Sequence, residues 1–273
     1  MTFKVGDYAE RGVDLIEIYF GWLLLGINDI LRWATFELGS FLRALDPMLF
    51  MIIAFFISIL ITKRFILSLL IVAGFYVIYW MGYWISAMTT LNMTLIATFA
   101  AILIAIPLGI WAAKSERVNP IVKMLMDFMQ TMPAFVYLIP AVIFFGLGVV
   151  PGVIATVIFA LPPTVRLTNL GIRQVPVEMN EVADSFGSSG WQKLTKVQMP
   201  IAMPSIMAGV NQTIMLSLSM VVIAAMIGGG GLGGDIIRSL SRIDVGMGFE
   251  AGLAVVIIAM ILDRLTQSVR REN

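Results

Sequence analysis

Glu181-Val-Ala-Asp-Ser-Phe-Gly187, nine further residues and then Val197-Gln-Met-Pro200 occupy the middle of a polar segment, Gly171 to Ser205, set between two apolar runs. Glu178 to Phe186 and Ser189 to Val197 are each long enough for about two helical turns, and Gly187 and Gly190 permit a sharp turn between them. Ala183 and Gly187 lie four apart, which makes one helical face nearly flat, with Phe186 projecting beside it as an anchor. An ordinary solvated loop has little reason to carry Phe186, Leu194 and Val197 at near-helical spacing. The stretch predicts a compact helical elbow that docks into a partner's groove, not a catalytic site.

The flanking composition says where such an elbow sits. The chain has 273 residues, 59% of them hydrophobic and 13% charged, and a mean hydropathy of +0.95. No single soluble core of that size hides so much apolar surface, so the chain reads as an all-α polytopic membrane protein. A net charge of +1 gives no basic face for nucleic acid. With no Cys and no His there is no disulfide, thiolate, imidazole base or ordinary zinc or haem site, and no directly bound cofactor is expected. The segment Met1 to Gly12 is mixed polar and charged, without the apolar core of a cleavable leader.

A hydrocarbon core of about 30 Å needs roughly 20 mostly apolar residues in a helix. That criterion places seven spans near 47–63, 65–85, 90–113, 124–149, 152–170, 205–227 and 248–266. The first two form a tight hairpin whose tip, Thr62-Lys63-Arg64, is basic and hence cytoplasmic. Lys114, Arg117, Lys123, Arg166, Arg173, Lys193, Lys196, Arg270 and Arg271 then also fall inside, together with the short tail 269–273. Residues 1–46 are left outside, with Lys4, Arg11, Arg32 and Arg43 against Asp7, Glu10, Asp14, Glu17, Asp29, Glu37 and Asp46. Within them, Asp14, Glu17, Gly21, Asn28, Asp29 and Arg32 share about a third of a helical circumference, which predicts an N-terminal amphipathic helix on the outer membrane surface. The alternative is a true first span with its polar stripe buried against other helices.

Pro133, Pro140, Val150-Pro151-Gly152 and Pro162-Pro163 interrupt the fourth and fifth apolar runs. They either break helices along an interior cavity or merely kink them for packing. Polar residues at membrane depth favour a cavity or a neighbouring helix over lipid. Asn211, Gln212, Met215 and Ser219 are therefore the candidate translocation path, with interhelical hydrogen bonding as the competing reading. Gly228, Gly229, Gly230 and Gly231 suggest a mobile outer loop, serving as an outer gate or as a plain helix terminator. Although Gly228 to Gly233 matches G-x-G-x-x-G, no βαβ context or ribose-binding acid accompanies it, and the match carries no nucleotide site.

The order Glu-x-Ala, three residues, Gly, nine residues, an aliphatic, one residue, an apolar residue and Pro resembles the cytoplasmic signature of permease subunits of ATP-binding-cassette importers. Val182 stands where Ala is common, and Met199 where Leu is usual. Asp127-Phe-Met-Gln-Thr-Met-Pro-Ala-Phe-Val-Tyr-Leu-Ile-Pro140, Gly148-Val-Val-Pro-Gly152, Phe159-Ala-Leu-Pro-Pro163 and Gly209-Val-Asn-Gln-Thr213 are similar to the glycine betaine/proline betaine branch, over roughly residues 90–268. The resemblance implies a type-1 importer permease fold: an interfacial region at 1–46, a hairpin at 47–85 and a permease core at 86–268, with a coupling loop at 171–205.

It also implies a permease homodimer in the bacterial inner membrane, in contact with lipid, two cytoplasmic ATPase subunits and an extracytoplasmic binding protein. Glu181, Ala183, Phe186, Gly187 and Pro200 inherit the coupling role by position. ATP and magnesium would be used by the partner, since no G-x-x-x-x-G-K-[ST] occurs in this sequence. The implied cargo is a betaine-like osmoprotectant, with choline, carnitine or trimethylamine N-oxide as alternatives. A stand-alone secondary transporter is the competing class, weakened by the scarcity of ionisable groups inside the spans: Asp127, Glu250 and Asp263 fall near predicted ends.

Overall fold

The computed structural model describes the backbone of residues 5–271 and the side chains of residues 11–268. The charges assigned above to Lys4, Asp7, Glu10, Arg270 and Arg271, and the reading of Met1 to Gly12 as lacking a leader, rest wholly or partly on residues outside those limits.

Helix α1 (Val5–Ala44) is followed at Asp46 by α2 (Pro47–Thr62). The Asp46 carboxylate accepts from the N–H groups of Met48 and Leu49 at 2.9 and 3.3 Å, and Pro47 supplies a first-turn residue with no N–H to satisfy. That local stop makes the chain turn by 107° between α1 and α2. Two residues, Lys63 and Arg64, then connect α2 to α3 (Phe65–Trp80). The hairpin packs through Phe50, Phe75 and Trp84, whose rings meet edge to face at 5.1–6.3 Å.

The centre of the molecule is α7 (Val149–Arg173), held between α4 (Trp84–Lys114) and α10 (Met199–Ala224). Its neighbours approach closely because they present small residues. On α4, Ala97, Ala101, Ala105, Gly109 and Ala112 recur on one buried face. A Cβ on Gly109 would lie 2.6 Å from Thr168 Cβ, and one on Gly209 of α10 would lie 2.9 Å from Thr164 Cα. Lipid tails are as apolar as leucine, so close packing and interhelical hydrogen bonds, rather than water exclusion, hold such helices together. The Thr164 and Thr213 hydroxyls lie 2.8 Å apart, and Thr213 also donates to Ala160 O at 2.8 Å.

Between α4 and α7 the chain forms α5 (Val118–Thr131), a 3-10 turn (Ala134–Tyr137) and α6 (Leu138–Phe145). The expected span 124–149 is therefore not one helix: it bends by 109° at Met132-Pro133. Among the described residues, four helices are long and apolar enough to cross a membrane, or six if each bent pair counts as one, where seven were expected. The shortfall sits in the bent pairs and in α3, whose 16 residues reach only about 24 Å.

The prolines divide between the two readings, break and packing: Pro133 stands at the 109° bend, whereas the others named above lie within helices. Pro162 and Pro163 lie inside an unbroken α7, Pro151 falls in its first turns and Pro140 in the first turn of α6. First-turn N–H groups have no helical acceptor to lose, so proline there costs little.

After α7 come α8 (Val177–Ser185), α9 (Gly190–Lys193), a π turn (Leu194–Gln198) and α10, then a 3-10 turn (Ala225–Ile227), α11 (Gly231–Arg242) and α12 (Val245–Arg271). Helix α12 packs against the hairpin, where a Cβ on Gly74 would lie 2.9 Å from Ile257.

Candidate functional site

Helix α8 ends in a left-handed cap. Gly187 has φ +69°, the Ser188 N–H donates to Ala183 O at 3.0 Å and the Gly187 N–H to Asp184 O at 2.9 Å. This paired closure needs a residue that tolerates positive φ. Among the described residues, no other part of the chain comes within 4 Å of a Cβ placed on Gly187, so the glycine answers a backbone demand and not a shortage of space. The chain restarts at Ser189, whose hydroxyl accepts from the Gln192 N–H at 3.3 Å, while the Gln192 side chain accepts from the Ser189 N–H at 2.9 Å.

The two arms of this elbow are stapled together. Lys193 pairs with Asp184 at 2.6 Å, and Gln198 donates to Asn180 at 2.9 Å. Lys114, the last residue of α4, donates to Gly190 O at 3.3 Å. Nearby, Arg173 at the end of α7 pairs with Glu116 at 2.8 Å, donates to Asn169 at 3.1 Å and reaches Ala112 O at 3.3 Å. Asn169 in turn donates to Asn119 at 2.7 Å, and Arg166 pairs with Asp127. None of this network was singled out from sequence. The i,i+4 pair Asn169/Arg173 is its one local trace.

Of the five elbow candidates, Phe186 is 85% exposed, and Glu181, Gly187 and Pro200 are exposed too. Ala183 is buried, on the side of α8 turned to its own chain. The flat outer face expected from Ala183 and Gly187 is therefore absent. The exposed apolar surface is made instead by Val177, Val182, Phe186 and Trp191. The expected second arm is likewise not a separate helix: α9 runs through the π turn into α10, forming one rod from Gly190 to Ile227.

Along that rod, Gln212 and Ser219 are exposed, while Asn211 and Met215 are half-buried. Ser219 donates to Met215 O at 3.0 Å. Asn211 points elsewhere and donates to Asp263 of α12 at 3.2 Å, so interhelical bonding is its role. Asp263 also accepts from Gln267 at 2.8 Å and lies well inside α12, not near a helix end. Ile201, Pro204, Gln212, Ser219 and Met226 form a continuous exposed stripe opposite the buried Ala202, Ile206, Gly209, Thr213, Met220 and Ala224.

The rod ends at the glycine run, where Gly229 is buried and Gly231 packs against Thr90, while Gly228 and Gly230 are exposed. Gly228, Gly230 and Gly231 have φ of +93°, +75° and +63°. The Gly148 N–H donates to Ile227 O at 2.8 Å, and the Leu232 N–H donates to the Thr90 hydroxyl at 2.9 Å. A Cβ on Gly231 would lie 2.5 Å from Thr90 Oγ1. In the adjacent turn between α3 and α4, burial and then the charge of Glu250 raise the Tyr83 hydroxyl above its ordinary range, so it stays a neutral donor, to Met247 O at 3.4 Å.

Residues 105–271 match the family described as binding-protein-dependent transport system inner membrane component. The chain is 52% identical to a glycine betaine/carnitine transport permease protein of Listeria monocytogenes, covering 99% of this chain and 97% of that one. It is 45% identical to a glycine betaine transport system permease protein of Bacillus subtilis, over 97% and 94% of the two chains. Among solved structures, an inward facing methionine ABC transporter superposes with a TM-score of 0.62 at 16% identity, covering 67% of this chain and 92% of that one. At that identity the superposition speaks for the fold alone.

Proposed function

The chain belongs to the binding-protein-dependent inner membrane transport components, the permeases of ATP-binding-cassette importers, in their glycine betaine branch, and from that premise we propose that it imports a betaine-type zwitterion in exchange for ATP hydrolysed by a partner. The observation that carries the reading is the continuity of the elbow with the rod from Gly190 to Ile227. A push on Trp191 is transmitted along one helical body to the exposed Gln212 and Ser219 and on to the glycine run, and a push on Phe186 reaches that body through the Asp184–Lys193 and Asn180–Gln198 pairs.

An external binding protein delivers the cargo, and cytoplasmic ATPase subunits seat on the exposed apolar side of α8, with Glu181, Gly187 and Pro200 shaping the elbow. Two copies meet along the exposed α10 stripe, which places Gln212, Met215 and Ser219 beside the path. Amide and hydroxyl groups there can hydrogen-bond a carboxylate while leaving its quaternary ammonium to weak contacts. Gly228–Gly231 act as the outer hinge, where three left-handed glycines let the rod meet α11 without side-chain clashes. The cargo is glycine betaine, the compound that both relatives' names share, with proline betaine beside it by the resemblance of the sequence motifs.

The test is uptake of labelled glycine betaine into proteoliposomes holding this chain with its ATPase and binding protein, with choline, carnitine and trimethylamine N-oxide as competitors. Uptake that needs all three proteins and ATP is expected, with the betaines competing best. Uptake by this chain alone, without ATP, would replace the importer reading with a secondary transporter.

A further inference from the structure

At the end of the bundle away from the elbow, α1 crosses α4 and the α6–α7 turn and leaves a groove of about 450 Å³. One stripe of α1 lines it with Asn28, Arg32, Thr35 and Arg43, and α4 adds Thr89 and Asn92. The opposite wall is apolar: Phe145, Leu147 and Val149–Pro151. Both walls are set by packing. Gly39 lets α1 approach so closely that a Cβ there would lie 2.7 Å from Asn92 Nδ2, and Asn92 donates to Thr35 O at 2.9 Å.

Two features of this groove are unsatisfied. Arg32 and Arg43 form no ion pair among the described residues, although Asp29 and Glu37 lie on the same helix. Asn92 is 5% exposed, and its Oδ1 accepts no hydrogen bond. A buried polar atom without a protein partner is costly, and it is satisfied by ordered water or by a ligand. Two guanidinium groups beside an orphan acceptor ask for a ligand with an anion and a hydroxyl donor. The apolar wall asks for acyl chains continuous with them, which a free inorganic anion lacks.

We propose that the groove between α1, α4 and the α6–α7 turn binds the phosphodiester headgroup of an anionic phospholipid. Arginine favours this task because its planar donors match phosphate oxygens while its aliphatic stem lies along apolar surface. The headgroup hydroxyl satisfies Asn92, and the acyl chains run along Phe145 and Leu147. A lipid held there fastens α1 to the core, whereas Leu15, Ile18, Tyr19 and Trp22 on the N-terminal half of the helix are all exposed.

The experiment titrates the purified, delipidated full-length chain with dioctanoyl phosphatidylglycerol and follows its thermal unfolding midpoint. Dioctanoyl phosphatidylcholine and inorganic phosphate are run in parallel. A saturable rise with phosphatidylglycerol alone is expected. Arg32→Gln/Arg43→Gln should bind about tenfold more weakly or worse, the loss expected for one charged hydrogen bond, while Arg32→Lys/Arg43→Lys keeps more of the effect. Both arginines are exposed, so the variants should fold; if the double variant does not, each single variant is read alone. An equal rise with phosphatidylcholine, or unchanged affinity in the glutamine variants, overturns the site. An equal rise with phosphate makes it a free-anion site and overturns the lipid.

Discussion

Gly187 shows how much rests on one backbone angle. At φ +69° a side chain costs roughly 1–2 kcal/mol, enough to shift a local equilibrium about tenfold toward another turn. Gly187→Leu should therefore insert at the wild-type level and lose most ATP-driven uptake, whereas Gly187→Asn, whose residue tolerates this region, should keep most of it. Quantitative uptake beside membrane abundance checks both. Normal uptake by the leucine variant would remove the docking role from this turn. Sequence spacing already singled out Gly187 as a turn residue, and its positive φ in open surroundings gives the same backbone reason. Ala183 was misplaced outright. A helical wheel locates a residue on a face but does not say which face a neighbouring segment covers.

The α10–α12 contact is the informative one among the helical elements. Asn211 donates to Asp263, and an apolar replacement of one partner strands the other in a poorly hydrated interior, at a cost of about 1–3 kcal/mol. Asn211→Leu should lower the unfolding midpoint of the purified chain by several degrees, and Asn211→Leu/Asp263→Leu should recover most of that loss. A double variant less stable than the single one would show that the pair does not act as a unit. This contact also explains a partial miss. Asn211, Gln212 and Ser219 looked alike from sequence as polar residues in an apolar helix, yet one is spent on helix packing and two remain exposed. Only the position of α12, more than fifty residues later in the chain, separates them.

For the whole molecule, the outward stripe of Ile201, Pro204, Gln212, Ser219 and Met226 demands a covering surface, because amide and hydroxyl groups at membrane depth are costly towards lipid. If a second copy provides it, Ser219→Cys should form disulfide-linked dimers in oxidised membranes. The chain has no native cysteine to confuse the result. Leu103→Cys, on the exposed face of α4, should stay monomeric on the same gel. Equal cross-linking at both positions would point to random collision, and none at Ser219 would move the dimer contact elsewhere. The same scale governs the bends of 107° and 109°, which reduce the span count below the one expected from hydropathy alone.

What the sequence by itself determined is what depends on neighbours a few residues away. Such features include the all-helical, membrane-spanning class, the Asp46-Pro47 start, the Lys63-Arg64 tip, the capped restart at Ser189 and the turn at Gly187, each set by local hydrogen bonds or by apolar run length. The tertiary structure alone decided which prolines break a helix, how tightly the glycine run packs against Thr90 and Ala224, which polar residue faces α12, and that α1 leaves two arginines and an orphaned Asn92 around one groove. Those outcomes depend on side chains brought together from distant parts of the chain. Their energies come from close contact and shared burial, which spacing along one strand of sequence does not encode.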